Sequence, residues 1–261
     1  MKPLIHFAHA NGVPSQVYQK LFDLLKDEYE VIYVPLLGTD KRYPIDNHWE
    51  SLTNQVIDSI VRQAKGRPVI GLGHSLGSVL TFQAALKRPE LFSQVIMLDP
   101  PLIMGKDGFA LHVAKLLKLK AVDRMSPAAL SLRRRDHWDS REQAAELLRP
   151  KGFYKDFDAD CFQAYIDYAL TEDKVRGGVE LTIPKMDEVK VFRTNPSLWW
   201  LPRKKIHLPI HMVVAEQSPF LPRRFPQMVK KKFGVPFSIT AGGHMFPLEH
   251  PVEVVKLIKQ L

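Results

Sequence analysis

The sequence predicts an α/β protein: a mostly parallel central sheet flanked by helices and interrupted by a mainly helical insertion. Three observations carry this. Short β-branched apolar runs alternate with longer amphipathic segments through about the first hundred residues. That rhythm stops at Pro100-Pro101, and from there to about residue 207 no run reads as a buried parallel strand. It resumes with PIHMVVAE at 209–216. Apolar runs joined by segments long enough to cross over and return describe a parallel sheet covered on both faces.

The elements follow in order. PLIHFAH (3–9), EVIYVPL (30–36), PVIGLG (68–73) and SQVIMLD (93–99) read as buried strands, with helices over 15–28, 48–65 and 77–88 between them. In the third helix Val79, Leu80, Phe82, Ala85 and Leu86 keep close to a 3.6-residue period. Past the two prolines, helices are expected near 108–120, 126–135, 139–149 and 158–170, followed by an irregular piece, GGVELTIPKMDEVKVFRT. A helix near 221–233, the strand PFSITA (236–241) and a helix over 251–261 close the pattern. The expected division is therefore 1–100 and 208–261 as two parts of one core, with 101–207 as the insertion.

Composition sets outer limits. With 45% hydrophobic and 25% charged residues in 261, the chain suits one large soluble domain with an insertion. No apolar run approaches the roughly 20 residues of a membrane helix. The opening MKPLIHFAHANG is too short and His-rich in its apolar part for a secretory leader, and reads as the first strand. One cysteine, Cys161, excludes an internal disulfide and a thiolate metal cluster, and fits a reducing cytoplasm. The net charge of +9 gathers partly in Arg133-Arg134-Arg135, Arg203-Lys204-Lys205 and Lys230-Lys231-Lys232. No aromatic residues interleave with these runs as a single-strand nucleic-acid groove requires, so they read as solvated faces.

The chemistry concentrates at Gly73-His74-Ser75-Leu76-Gly77, a G-x-S-x-G at the junction of a predicted strand and helix. There a serine sits on a tight turn, and its neighbours two positions away must be small for strand and helix to approach. The turn lifts the hydroxyl to the carboxyl end of the sheet, beside the free N–H groups of a helix start. A dinucleotide fingerprint fails because Ser75 and Leu76 stand where it needs glycine, and a P-loop fails for want of Gly-Lys-Ser/Thr.

On these residues the chain resembles the α/β-hydrolase fold superfamily, and specifically serine hydrolases with a helical cap, over essentially its whole length. The resemblance implies that HFAHANG (6–12) is the oxyanion loop, with Ala10 in place of the usual glycine. The backbone N–H groups of Leu76 and Asn11 would then hold an oxyanion, and His9 would brace the loop. It also implies the order serine, acid, histidine. His244, in TAGGHMFPLEHP (240–251), matches the family's catalytic-histidine loop. His250, just before Pro251, reads as local structure. The family usually carries its acid after the penultimate strand, where this chain has AEQSPF (215–220), with Glu216 early and Ser218 or Pro219 at the usual place. A minority places it after the strand that follows the elbow helix, where Asp99 stands. Asp99 is the first choice and Glu216 the alternative.

Other clusters carry less. His6 with His9, and His207 with His211, lack the helical spacing of a metal pair, Pro209 lying inside the second. Trp138, Trp199 and Trp200 could line a substrate pocket or pack the insertion, and His74 stands within the elbow itself. The expectation is an enzyme hydrolysing a carboxylic ester of a small, largely apolar acyl substrate through Ser75, His244 and Asp99, without metal or organic cofactor. No nucleic-acid partner and no stable membrane insertion are expected. Thioester hydrolysis, carbon–carbon hydrolysis and acyl transfer are alternatives on the same residues; a ligand receptor that has kept the fold is the non-enzymatic one.

Overall fold

A computed structural model describes residues 1–119, 121–124, 126–201 and 207–261. Six strands form one sheet: β1 (Leu4–Ala8), β2 (Glu30–Tyr33), β3 (Val69–His74), β4 (Phe92–Leu98), β8 (Ile210–Ala215) and β9 (Phe237–Thr240). Their order is β2-β1-β3-β4-β8-β9, and every neighbouring pair runs parallel. This is the predicted core, with strand ends within three residues of those read from the sequence.

Alternation along each strand builds two apolar layers. Ile5, Phe7, Leu72, Ile96, Leu98 and Val213 face one side, under α1 (Gln19–Leu25) and α12 (Pro251–Gln260). Leu4, Ala8, Val69, Val95, Met97 and Val214 face the other, under α2 (Glu50–Ala64), α3 (Leu76–Lys87) and α10 (Phe225–Phe233). α3 is buried along nearly its whole length, which explains why its residues are apolar on more than one face. A short helix, α11 (Phe246–Glu249), precedes α12.

Between β4 and β8 the chain makes α4 (Gly105–Leu116), α5 (Ala121–Arg124), α6 (Ala128–Arg133), α7 (Arg141–Leu148), α8 (Ala159–Tyr168) and α9 (Lys185–Arg193). It also makes a small antiparallel sheet of β5 (His137–Trp138), β6 (Leu170–Glu172) and β7 (Val179–Leu181), in the order β5-β7-β6. The stretch expected to be irregular is thus a strand followed by a helix. α7 and α8 extend the first apolar layer with Ala144, Leu148, Cys161 and Tyr165, so the insertion shares a core with the sheet.

Two basic runs come out differently. Lys230, Lys231 and Lys232 are exposed in the last turn of α10, where cations suit the helix dipole. In the first run Arg133 and Arg135 are exposed, but Arg134 turns inward, its guanidinium 2.9 Å from the buried carboxylate of Glu188. A uniformly solvated face is therefore the wrong description of that run. Arg203-Lys204-Lys205 lies outside the described residues. Among the described residues, no helix is long and apolar enough to cross a membrane.

Candidate active site

Ser75 occupies the residue between β3 and α3, at φ 51° and ψ −115°. A non-glycine residue held there stores roughly 1–3 kcal/mol, which the surrounding packing must offset. The glycines around it permit the turn. A Cβ on Gly73 would stand 2.4 Å from the Gly77 carbonyl oxygen, and one on Gly77 would stand 2.0 Å from that of Ala8. The second approach draws the start of α3 onto the end of β1, and Gly77 N–H donates to the His9 carbonyl at 3.1 Å. The HFAHANG loop and the serine turn are thereby fixed against each other. Among the described residues, no loop, turn or cap hydrogen bond engages the N–H of Leu76 or of Asn11.

His244 follows β9 and reaches across the sheet end. Its Nε2 lies 2.9 Å from Ser75 Oγ, and its Nδ1 lies 2.5 Å from Asp99 Oδ2. A carboxylate accepts, so Nδ1 carries the proton and Nε2 is left to accept from the serine hydroxyl. Asp99 directly follows β4, is wholly buried, and sits at φ 43°. Its carboxylate also accepts from Ser218 Oγ at 2.8 Å and from the Ala215 N–H at 3.2 Å. Ser218 thus stands near the place where the resemblance led one to expect the acid, and supports a carboxylate supplied from another strand. Glu216 is exposed; its N–H donates to Thr240 and its carboxylate makes no hydrogen bond or ion pair among the described residues. Of the two carboxylates weighed from sequence, Asp99 is the one brought to His244.

His74 does not face a substrate space. It is fully buried, and its Nε2–H donates to the His244 carbonyl at 2.8 Å. The Tyr18 hydroxyl donates to its Nδ1 at 2.7 Å, and the Ala10 N–H donates to the Tyr18 oxygen at 3.4 Å. Burial, helped by the neighbouring His244, pushes the His74 imidazole down to about 3, so it stays neutral and this chain of donors keeps one direction. Burial also raises the Tyr18 phenol well above its ordinary value. The substrate-lining role considered for His74 is therefore replaced by a link from the HFAHANG loop to the His244 loop. Tyr18 was invisible to sequence reading, since only the fold brings it to a residue 56 positions away.

His9 braces its loop as the resemblance implied: Nδ1–H donates to the Ala10 carbonyl at 2.7 Å, and Nε2 accepts from Leu37 N–H at 2.7 Å. His6 meets Ser59 Oγ at 2.9 Å, and His211 meets Ser238 Oγ at 3.0 Å. Trp138 is buried in β5 within the layer containing Ala144 and Tyr165, and Trp199 packs on Phe82 and Phe233. Trp200 is part-exposed, edge-on to Phe109 and His112. Phe220, not singled out from sequence, stands edge-on to His244 with ring centres 5.6 Å apart.

The insertion reaches the site through α9. Asn11 Nδ2–H donates to the Glu188 carbonyl at 3.0 Å. A Cβ on Gly12, which sits at φ 74°, would come within 2.7 Å of Glu188 Oε2, so glycine there serves both the turn and the approach. The Glu188 carboxylate accepts from Ser131 Oγ at 2.5 Å besides pairing with Arg134.

A serine on a strained strand-to-helix turn, met by a histidine and a buried aspartate from separate strand ends, is the arrangement of hydrolases built on such a sheet. The chain belongs to the alpha/beta hydrolase family, whose profile matches residues 7–257. Among curated proteins it is similar to the type I acyl-CoA thioesterase mpaH of Penicillium brevicompactum, at 23% identity over 216 residues. That match takes in 69% of this chain and 47% of the relative, so the chain spans about half the length of the curated relatives it first matches. Among solved structures it is similar to E-2-(acetamidomethylene)succinate hydrolase, with a TM-score of 0.76 and 20% identity over 100% of this chain and 91% of that one. The thioesterase domain from the curacin biosynthetic pathway gives a TM-score of 0.73 and 18% identity, over 99% and 91%. At such identities the solved structures share the fold.

Proposed function

We propose that the protein is a serine hydrolase that cleaves a carboxylic ester, or a related acyl bond, of a small and largely apolar substrate. The observation that carries this reading is the unbroken chain from Ser75 Oγ through His244 to Asp99, with distances of 2.9 and 2.5 Å. A serine hydroxyl is a weak nucleophile at neutral pH and needs an adjacent base. In this reading His244 Nε2 takes the proton as Ser75 Oγ attacks the carbonyl carbon. Asp99 holds the tautomer and stabilises the imidazolium that forms. The N–H groups of Leu76 and Asn11 receive the tetrahedral oxyanion, aided by the positive end of α3. His244 then gives its proton to the leaving group. Water, activated by the same imidazole, hydrolyses the acyl-enzyme and restores Ser75. No step calls for a metal or an organic cofactor.

Residues 101–207 act in this reading as a cap, joined to the oxyanion loop by the Asn11–Glu188 bond. Thioesters are the second reading. The relatives named as thioesterases favour it, and a thiolate leaves more readily than an alkoxide. A cytoplasmic location is part of the proposal and rests on the lone Cys161.

The test is labelling with a fluorophosphonate probe, followed by intact mass and peptide mapping. One stoichiometric adduct on Ser75, lost in His244→Ala, is expected. No adduct under conditions that fully label a control esterase would overturn the proposal.

A further inference from the structure

A cleft of about 360 Å³ opens where α4, α5 and the end of α9 meet the segment before α2. None of the residues around Ser75 lines it. Lys115 does, and its ammonium is half-buried. Its Nζ donates to Asn47 Oδ1 and to the Asn195 carbonyl, both at 2.7 Å. Among the described residues no carboxylate lies within ion-pairing distance of it. Burial alone pulls this ammonium down to about 8. A charge drawn from water and met only by neutral acceptors is costly to keep.

The rest of the lining adds to the positive charge. Arg193 is occupied by Asp123, with Nε to Oδ1 at 2.7 Å and Nη2 to Oδ2 at 2.8 Å. Lys118, in the turn after α4, is exposed and has no ion pair among the described residues. One carboxylate therefore faces three cations. Asn47 spends its carbonyl oxygen on Lys115, which leaves its NH₂ as a donor. The cations arise from α4, the turn behind it and α9. That spread suits a tetrahedral, multiply charged anion better than a planar carboxylate, which one bidentate partner satisfies.

We propose that this cleft binds a phosphate-bearing group, held chiefly by Lys115 and Lys118. The group can belong to the tail of an acyl substrate or to a separate phosphorylated ligand.

The first experiment is calorimetric titration of the 261-residue chain with inorganic pyrophosphate at low ionic strength. Saturable binding of one equivalent is expected. Lys115→Met should weaken it by about tenfold, the value of one charge-assisted hydrogen bond, and Lys118→Ala by about threefold. Lys118 is exposed, so its variant keeps the test decisive if Lys115→Met does not fold. Absence of saturable binding, or equal affinity in the parent and in the variants that fold, would overturn the proposal. The readout does not involve Ser75, so failure here and failure of the hydrolase reading are separate results. The source of the phosphate is then read from KM, using a coenzyme A thioester and the same acyl group on N-acetylcysteamine. A rise in Lys115→Met confined to the coenzyme A thioester assigns the cleft to the substrate's own tail. Unchanged KM for both, beside weakened pyrophosphate binding, assigns it to a separate ligand.

Discussion

In the sheet and the loop that follows β1, His6, His9 and His74 lie fully buried and are held neutral, with ring nitrogens facing a hydroxyl, an amide or a carbonyl. In the inserted segment three buried or half-buried carboxylates are ion-paired: Glu188 with Arg134, Asp173 with Arg176, Asp123 with Arg193. A neutral imidazole between one donor and one acceptor, as His9 and His74 are, fixes both neighbours in position and carries no ion to desolvate. An ion pair tolerates looser geometry, but losing either partner strands a charge. The region that holds Ser75 and His244 in contact uses the first device, and the segment between β4 and β8 uses the second.

The largest effect tests the sheet side. Ser75→Ala should lower ester hydrolysis by at least about 10⁴-fold while shifting the thermal midpoint little, since alanine keeps the same backbone strain and only the hydroxyl's bond with His244 is lost. Steady-state rates beside a melting curve check both parts. Asp99→Asn should cost about 10³- to 10⁴-fold in kcat by upsetting the His244 tautomer, whereas Glu216→Gln should stay within about twofold of the parent. A large loss in the Glu216 variant would mean that the acid has been misassigned.

The insertion should respond in stability. Glu188→Ala strands the Arg134 guanidinium and should destabilise the protein by about 3 kcal/mol in urea unfolding. The apolar double variant Arg134→Met with Glu188→Leu should recover most of that. If the single and double variants are equally unstable, the pair is not what the loss measures.

A last effect separates the two regions by pH. His6 and His74 have folded values near 3 and His9 near 4, all lowered chiefly by burial from an unfolded value of 6.5. Below 6.5 the unfolded chain takes up protons that the folded chain refuses, so stability falls as pH drops from 6.5 towards 3. Each histidine contributes up to about 1.4 kcal/mol per pH unit. Asp173, held near 2 mainly by the Arg176 N–H and then its guanidinium, adds stability above its ordinary 3.8 that is lost only as pH falls from there towards 2. The sheet should therefore weaken first in acid. Urea unfolding at pH 7, 5.5 and 4.5 should show a shallower slope for His6→Asn than for the parent; an unchanged slope would remove His6 from the account.

Most of the sheet was legible because its strands are short apolar runs bounded by Gly, Pro or charge, and its helices cross over at lengths that leave few topologies. The serine turn and the His244 loop were legible because their glycines mark backbone that tolerates almost nothing else. The insertion was harder. Val189 and Val191 in EVKVF alternate like a strand, yet they lie in α9, whose Asp187 and Glu188 at the start and Lys190 and Arg193 at the end suit a helix. The strands of its small sheet have two or three residues each, too few for a period to register. Arg134 was hidden by its neighbours, since a run of arginines does not say which one turns inward. Tyr18 carries no local signal at all, because it matters only for a partner that the fold delivers from far along the chain.

The bond between Asn11 and the Glu188 carbonyl, with Gly12 shaved to glycine beneath the same glutamate, bears on how far this protein can be taken apart. The two regions are not interchangeable parts. A chimera that kept this sheet and received a foreign insertion would inherit Ser75, His244 and Asp99 in register, each being held by the sheet. It would lose one anchor of the loop that carries the Asn11 amide. Replacement of the inserted segment would need to carry α9 along, or to supply another acceptor where the Glu188 carbonyl stands.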